Sequence, residues 1–337
     1  IRNNLKDAER RLVQCSITSE EMGLPILKNE IDEELTFLIE NREIIGYDNV
    51  DELIQTIGPF IFEITKAEAL PDLPKKIGPI KRYVSLSVEQ RKIYDTVRKD
   101  WIIEFSGPSD EQKKIIKSSG SDKEHLISNT LEMILRLQQI CGGFISRRIE
   151  DPIKRKKDGT PKIISQEEQI KGHNPKIIEL LDIIEECDGS MIIWCRFRNE
   201  IHQVTETLTK KFGNQVVEFY GGINEEDRHI ERLKFQAGEK RFFVGTPDTG
   251  GLGINLNKAK TVIWFSHTWN YETRTQANDR PHGPGQKHNV LYIDMMYENS
   301  VDFLLLQALS DKKNLADFLR NSLKGLGNLL TGIDPPF

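Results

Sequence analysis

From residue 174 onward the chain alternates short apolar runs with longer amphipathic segments, and no other sequence feature limits the fold as much. The runs have the length of buried strands and span 191–195, 216–219, 241–244, 261–265 and 290–294. The amphipathic segments have helical spacing and span 175–187, 199–212, 225–237, 272–280 and 300 to about 323. Strands that alternate with helices form a parallel sheet covered on both faces, with ligands at the carboxyl ends of the strands.

Before residue 174 the pattern is less regular. A strand is predicted at 82–86, then a helix that begins after Ser87, where Gln90 completes a capping box. A second helix is predicted at 124–141. Residues 143–162 are expected to be loop-like, with seven basic and three acidic residues that either contact a DNA backbone or form a solvated linker. We predict a helical segment and bridge at 1–75, a strand, helical protrusion and basic linker at 76–165, and an α/β lobe at 166–337.

Composition limits the class of protein. The net charge is -5 and 37% of the residues are hydrophobic, which is ordinary for a soluble globular chain. No apolar run approaches the roughly 18 residues of a membrane span, and no signal peptide is recognisable, so we predict an intracellular protein, cytoplasmic or in the nucleoid or nucleus. The four cysteines form no Cys-x-x-Cys pair, so no metal site is predicted. The first residue is Ile1, which indicates a piece of a longer protein.

A glycine-rich segment follows the run at 241–244. Gly250, Gly251 and Gly253 would let the backbone approach a phosphate closely, and exposed amides in such a turn bind anions. The alternative is a tight turn between a strand and a helix that binds nothing. A dinucleotide site is disfavoured because the spacing is Gly-Gly-x-Gly.

Arg280 comes one turn after Gln276 in the next helical segment, and we expect it at the carboxyl edge of a strand. A guanidinium there suits a nucleotide phosphate, whereas the alternative is a surface arginine paired with Asp279 or Glu272. The sequence has no Gly-x-x-x-x-Gly-Lys-Ser/Thr and no Asp-Glu-x-His box. The chain alone is therefore not expected to hydrolyse ATP well.

These motifs, in this order, resemble the second RecA-like lobe of the SNF2-type superfamily 2 helicases. Residues 191–197 resemble motif IV of that family, residues 245–256 resemble motif V, and residues 269–286 resemble the run from motif Va to motif VI. Residues 65–76 resemble the bridge that leaves the first lobe. Further signatures at 84–90 and 135–141 extend the resemblance to about residues 46–320.

The resemblance implies an α/β fold, a RecA-like parallel sheet with helices on both faces and an N-terminal helical protrusion. It also implies ATP-driven translocation on duplex DNA, with Mg²⁺ held by an N-terminal RecA-like lobe that this chain lacks. The residues that would contact the DNA backbone are Thr246, Thr249, Gly250 and Arg196. Arg280 and Gln276 would act catalytically across the cleft between the lobes. The residues that would bind the nucleotide are Gly251, Gly253, Asn255 and Arg280.

The chain departs from the family pattern at Gly283. The family reads His-Arg-x-Gly-Gln in motif VI, whereas this chain reads His-Gly-Pro-Gly-Gln at 282–286. Loss of an arginine finger costs roughly 10³–10⁵ in rate in related phosphoryl-transfer systems. A degenerate, non-catalytic module that binds DNA or protein therefore stays open as an alternative. A separate nucleotide-binding transferase is a further alternative, for which no nucleophile or base is found.

Overall fold

The computed structural model describes residues 69–105, 120–155, 161–250, 253–312 and 315. Eight strands occur there: β1 Lys76–Val84, β2 Phe144–Arg155, β3 Pro161–Gln169, β4 Ser190–Trp194, β5 Val216–Phe219, β6 Phe242–Gly245, β7 Ala259–Trp264 and β8 Val290–Tyr297. Six of them form one sheet in the order β1-β8-β7-β4-β6-β5, and every adjacent pair is parallel. The predicted parallel sheet is thus confirmed.

Helices cover both faces of this sheet. The helices of the described residues are α1 Val88–Phe105, α2 Gly120–Cys141, α3 Pro175–Glu186, α4 Arg198–Phe212, α5 Glu225–Ala237, α6 Pro247–Gly250, α7 Tyr271–Asp279 and α8 Val301–Ser310. Side chains of α3 and α4 pack on one face, and side chains of α5 and α7 pack on the other. Among the described residues, no helix is long and apolar enough to cross a membrane, and no group of three or more His, Cys, Asp or Glu side chains could hold a metal ion.

The central strand β4 shows why its sequence is apolar throughout. Ile193 packs with the core under α3 and α4, whereas its neighbours Ile192 and Trp194 pack with the core under α5 and α7. All three side chains are fully buried. A strand buried on both faces needs an apolar residue at every position, which is the pattern seen in the sequence.

Strand β1 begins six residues before the predicted start and ends two residues before the predicted end. It pairs with β8 from Lys76 opposite Val290 to Val84 opposite Tyr297, at the edge of the sheet. Pro79 hid the first part of this strand, because proline cannot donate a ladder hydrogen bond and is tolerated only at edges and irregularities. The register shifts around Pro79, between residues 77 and 80. The predicted domain boundaries, between residues 75 and 76 and between residues 165 and 166, stay predictions.

Helices α1, α2 and α8 share a separate core. The capping box of α1 is confirmed: the Ser87 amide donates to Gln90 Oε1 and the Gln90 amide donates to Ser87 Oγ, both at 3.2 Å. Gln90 Nε2 also donates to the Ile140 carbonyl at 3.0 Å, which joins α1 to the last turn of α2. Tyr94 and Leu305 bury their side chains together in this core. The last predicted helix ends at Ser310, and residues 316–323 lie outside the described part.

The loop-like linker predicted at 143–162 is wrong. Strands β2 and β3 form an antiparallel hairpin that runs from Phe144 opposite Gln169 to Arg155 opposite Pro161. The high charge of the segment obscured its isoleucines, which favour strands because they are β-branched. In the register of the two strands, residue 149 lies opposite residue 164, and both are isoleucine.

Candidate functional site

The carboxyl ends of β4, β6 and β7 lie side by side. The Cys195 amide donates to the Gly245 carbonyl at 2.9 Å, and the Phe265 amide donates to the Trp194 carbonyl at 3.0 Å. Two of the predicted DNA-contacting residues lie here, because Arg196 follows β4 and Thr246 follows β6. Together with Thr249 of α6, we call these residues the strand-end group.

The backbone fixes Thr246 closely against β5. The Thr246 amide donates to the Phe219 carbonyl at 3.1 Å, and its hydroxyl lies 3.1 Å from the Thr249 hydroxyl. A Cβ at Gly245 would stand 2.4 Å from the Phe219 carbonyl oxygen, so only glycine fits there. The two threonine hydroxyls are therefore held together at the turn between β6 and α6.

Arg196 carries a charge beside an aromatic platform. Its guanidinium carbon lies 4.3 Å from the Trp269 ring centroid and 5.6 Å from that of Phe197. Burial lowers the pKa of Arg196 to about 10, partly offset by Asp248 and Glu200, so the group stays cationic at neutral pH. Within the described residues, no carboxylate lies at ion-pair distance from it. A cation held this way is available to an anionic ligand.

Buried polar contacts set the position of Arg196 and Trp269. The Arg196 amide donates to Ser266 Oγ at 2.7 Å, and Ser266 Oγ donates to Glu200 Oε2 at 2.6 Å. Burial raises the pKa of Glu200 to about 7. Trp269 Nε1 donates to Gln138 Oε1 of α2. Sequence reasoning did not find this role of Gln138, and its only signal was a polar residue on the apolar face of α2.

A second group forms where the glycine-rich segment meets the turn after α7. We call residues 280–286 the arginine turn. The Leu256 amide donates to the Arg280 carbonyl at 3.0 Å. Gln286 Nε2 shares its two hydrogens among the carbonyls of Asn257, Ala259 and Pro281, at 2.9, 3.0 and 2.9 Å. These contacts bring Arg280 beside the segment that carries Asn255, although the two residues are far apart in sequence.

The expected position of Arg280 at the carboxyl edge of a strand is wrong. Its carbonyl accepts from Leu256, and Gln286 donates to Ala259, the first residue of β7. The arginine turn therefore lies at the amino ends of β7 and β8. The reason is that α7 runs antiparallel to β7 and carries the chain back to the amino ends of the strands. The strand-end group and the arginine turn are thus separate.

The remaining predicted residues are Gln276, Asn255, Gly253, Gly250 and Gly251. Gln276 and Asn255 are exposed, and the Asn255 side chain accepts from the Asn257 amide at 3.0 Å. Gly253 is exposed with φ of +64°, a conformation that favours glycine. Gly250 ends α6, which packs beside α7. Gly251 lies outside the described residues.

The histidines near these groups are structural. His267 Nε2 donates to the Met295 carbonyl at 3.0 Å, so its Nδ1 accepts from Arg274, also at 3.0 Å. Burial lowers the pKa of His267 to about 4, which keeps it neutral. Arg274 in turn pairs with buried Asp294 at 2.5 Å. His282 Nε2 donates to the Pro74 carbonyl at 2.6 Å.

We expect Gln286→Ala to lower the free energy of unfolding by roughly 1–3 kcal/mol, because the buried carbonyls of Ala259 and Pro281 lose their shared donor. Urea unfolding followed by circular dichroism measures the change. The matched control is Gln276→Ala, which removes an exposed glutamine from α7 and should stay within about 0.5 kcal/mol of the native protein. Equal free energies for the two variants would contradict the role of Gln286.

The chain is similar to known helicases. Residues 174–285 match the family described as helicase conserved C-terminal domain. The chain is 25% identical over 284 residues to the putative ATP-dependent helicase/translocase YwqA of Bacillus subtilis, covering 84% of this chain and 28% of that protein. It is 24% identical over 283 residues to transcription regulatory protein SNF2 of Saccharomyces cerevisiae, covering 83% of this chain and 15% of that protein. The chain thus spans less than a third of the length of these relatives.

A solved structure shares the fold. The Sulfolobus solfataricus SWI2/SNF2 ATPase core domain is 22% identical and superposes with a TM-score of 0.53, over 84% of this chain and 55% of that one. The parallel sheet with helices on both faces is therefore the RecA-like arrangement that the sequence predicts.

Proposed function

Because this chain belongs to the SNF2-type superfamily 2 helicases and carries their C-terminal RecA-like lobe, we propose that it is the second half of an ATP-dependent translocase that moves on duplex DNA. The first half would be an N-terminal RecA-like lobe of the same protein. That lobe would hold ATP and Mg²⁺, since this sequence has neither a phosphate-binding loop nor an Asp-Glu-x-His box.

The strand-end group would contact the DNA backbone. Arg196 supplies a cation at neutral pH, and Thr246 and Thr249 supply two hydroxyls at a fixed spacing. Phosphate contacts of this kind position a protein on a duplex without reading its sequence. Gly250 would add a backbone contact at the end of α6.

The arginine turn would face the nucleotide, and the bond between the Leu256 amide and the Arg280 carbonyl is the single observation that carries this proposal. It holds the arginine beside the segment that contains Gly253 and Asn255. A guanidinium there would stabilise the charge that develops on a transferred phosphate. Gln276 and Gly251 would complete the nucleotide-facing surface.

The second candidate is a non-catalytic module that binds DNA or protein, and Gly283 favours it. An arginine at this position would supply a second finger, and glycine cannot. A Cβ at Gly283 would meet nothing within 4 Å, so the position has room for a side chain. The loss of the arginine is thus not imposed by packing among the described residues.

ATP hydrolysis by the two-lobe protein, with and without duplex DNA, tests the proposal. We expect DNA-stimulated turnover in the native protein, and the same assay on Gly283→Arg measures what the second finger would add. A silent native protein with an active Gly283→Arg variant would establish the non-catalytic module instead. Silence of both, with both folded, would reject the motor.

A further inference from the structure

The hairpin of β2 and β3 has a firmly packed root. The Phe144 side chain is fully buried, and the Ile170 amide donates to the Gly143 carbonyl at 2.9 Å. Arg136 of α2 donates to the Ser146 carbonyl at 2.6 Å. The first residues of β2 and the end of β3 are thus part of the folded lobe.

This root lies beside the strand-end group. The Phe144 and Phe197 rings meet edge to face with centroids 5.3 Å apart, and the Phe197 ring also contacts the Arg196 guanidinium. Gln203 of α4 donates to Gln169 Oε1 at 2.9 Å. Since α4 begins just after β4, these contacts place the root at the carboxyl edge of the sheet.

Charge is divided along the hairpin. Near the root, Glu167 and Glu168 are exposed, but Arg147 and Arg148 lie opposite residues 166 and 165, so the root has no net charge. The far end carries Lys154, Arg155 and Lys162 in sequence, and there residue 155 lies opposite residue 161. The two strands have 12 and 9 residues, so they extend roughly 30–40 Å and separate the basic end from the root. In a chain with a net charge of -5, binding to phosphates requires such local clusters.

We propose that the far end of the hairpin, formed by Lys154, Arg155 and Lys162, is a second contact to the phosphate backbone of duplex DNA. This inference rests on the proposed function, because the strand-end group supplies the first contact. The strand length is close to the roughly 34 Å of one turn of duplex DNA, so the two contacts would lie up to one turn apart.

The salt dependence of duplex binding by this chain tests the proposal. We compare the native chain with the variant Lys154→Gln, Arg155→Gln, Lys162→Gln. Each phosphate contact contributes about 0.9 to the slope of log affinity against log salt, so the variant should lose about 2–3 from the slope. The matched control is Lys210→Gln, Lys211→Gln, Lys234→Gln, which removes the same charge from the last turns of α4 and α5, at the opposite edge. We expect this control variant to keep the salt slope of the native chain.

The variant Arg196→Gln tests the strand-end contact independently of the hairpin contact. If Arg196→Gln lowers the slope and the hairpin variant does not, the proposed function stands and the hairpin contact is rejected. If neither variant differs from the native chain, or if the native chain binds no duplex, both are rejected. A slope change seen with duplex RNA but not with duplex DNA also overturns the hairpin contact. Thermal unfolding of each variant shows whether a loss of binding reflects loss of fold.

Discussion

Replacing Arg280 by alanine is expected to lower DNA-stimulated ATP turnover of the two-lobe protein roughly 10³–10⁵-fold, the range for removal of an arginine finger. The effect should fall at the upper end, because Gly283 leaves the motif without a second arginine. Arg280→Lys should recover little, since an ammonium lacks the planar fork that binds two phosphate oxygens. Steady-state hydrolysis at saturating DNA measures the change.

The control for Arg280 is Arg232→Ala, which removes an arginine from α5 and should leave turnover unchanged. Duplex affinity supplies a second readout. The arginine turn lies at the amino end of β7, and the strand-end group lies at the carboxyl ends of the strands. Arg280→Ala should therefore keep the native affinity for DNA. If Arg280→Ala hydrolyses ATP at the native rate, Arg280 takes no part in the reaction.

Replacing Lys176 by methionine is expected to lower the free energy of unfolding by about 3–5 kcal/mol, because it leaves a buried carboxylate without its partner. Lys176 Nζ lies 2.9 Å from Asp302 Oδ2, and both side chains are only 2% exposed. Lys176 also donates to the Phe265 carbonyl at 3.0 Å. Burial acts to raise the pKa of Asp302, but the charge of Lys176 and hydrogen bonds from Lys176 and the Tyr297 amide help to hold that pKa below its usual value.

The double variant Lys176→Met, Asp302→Leu is the control for this prediction. Apolar residues often replace a buried ion pair at little cost, so the double variant should be more stable than Lys176→Met alone. The pair stabilises the fold above the usual pKa of an aspartate and loses that effect as the pH falls through the lowered value. Urea unfolding at pH 7 measures both variants, and a loss under about 1 kcal/mol in Lys176→Met would contradict the prediction.

The sequence predicted the elements whose signal is local. Strand β5 and helix α5 have the predicted bounds, because an apolar run or a capped amphipathic segment contains the information that sets them. The capping box of Ser87 and Gln90 is equally local. The first part of strand β1 and the hairpin were missed, because proline and dense charge mask a pattern that pairing stabilises.

The residues of the candidate site stay predictions, whereas their arrangement could not be predicted from the sequence. The sequence indicated Arg280 and the glycine-rich segment, but the edge at which they meet depends on the direction of α7. Gln138 with Trp269, and Lys176 with Asp302, are pairs that lie far apart in sequence. Such pairs follow from the order of strands in the sheet, which a single sequence does not reveal.

The pairing of β1 with β8 has a practical consequence for dividing this protein into pieces. The family match ends at residue 285, before β8 begins, and β1 ends about 90 residues before the match starts. A piece cut to 174–285 would keep four of the six strands and would leave β7 as an unprotected edge. Exposed edges of this kind recruit other chains, so such a piece should aggregate during expression. The boundaries of a usable recombinant domain must therefore follow the sheet.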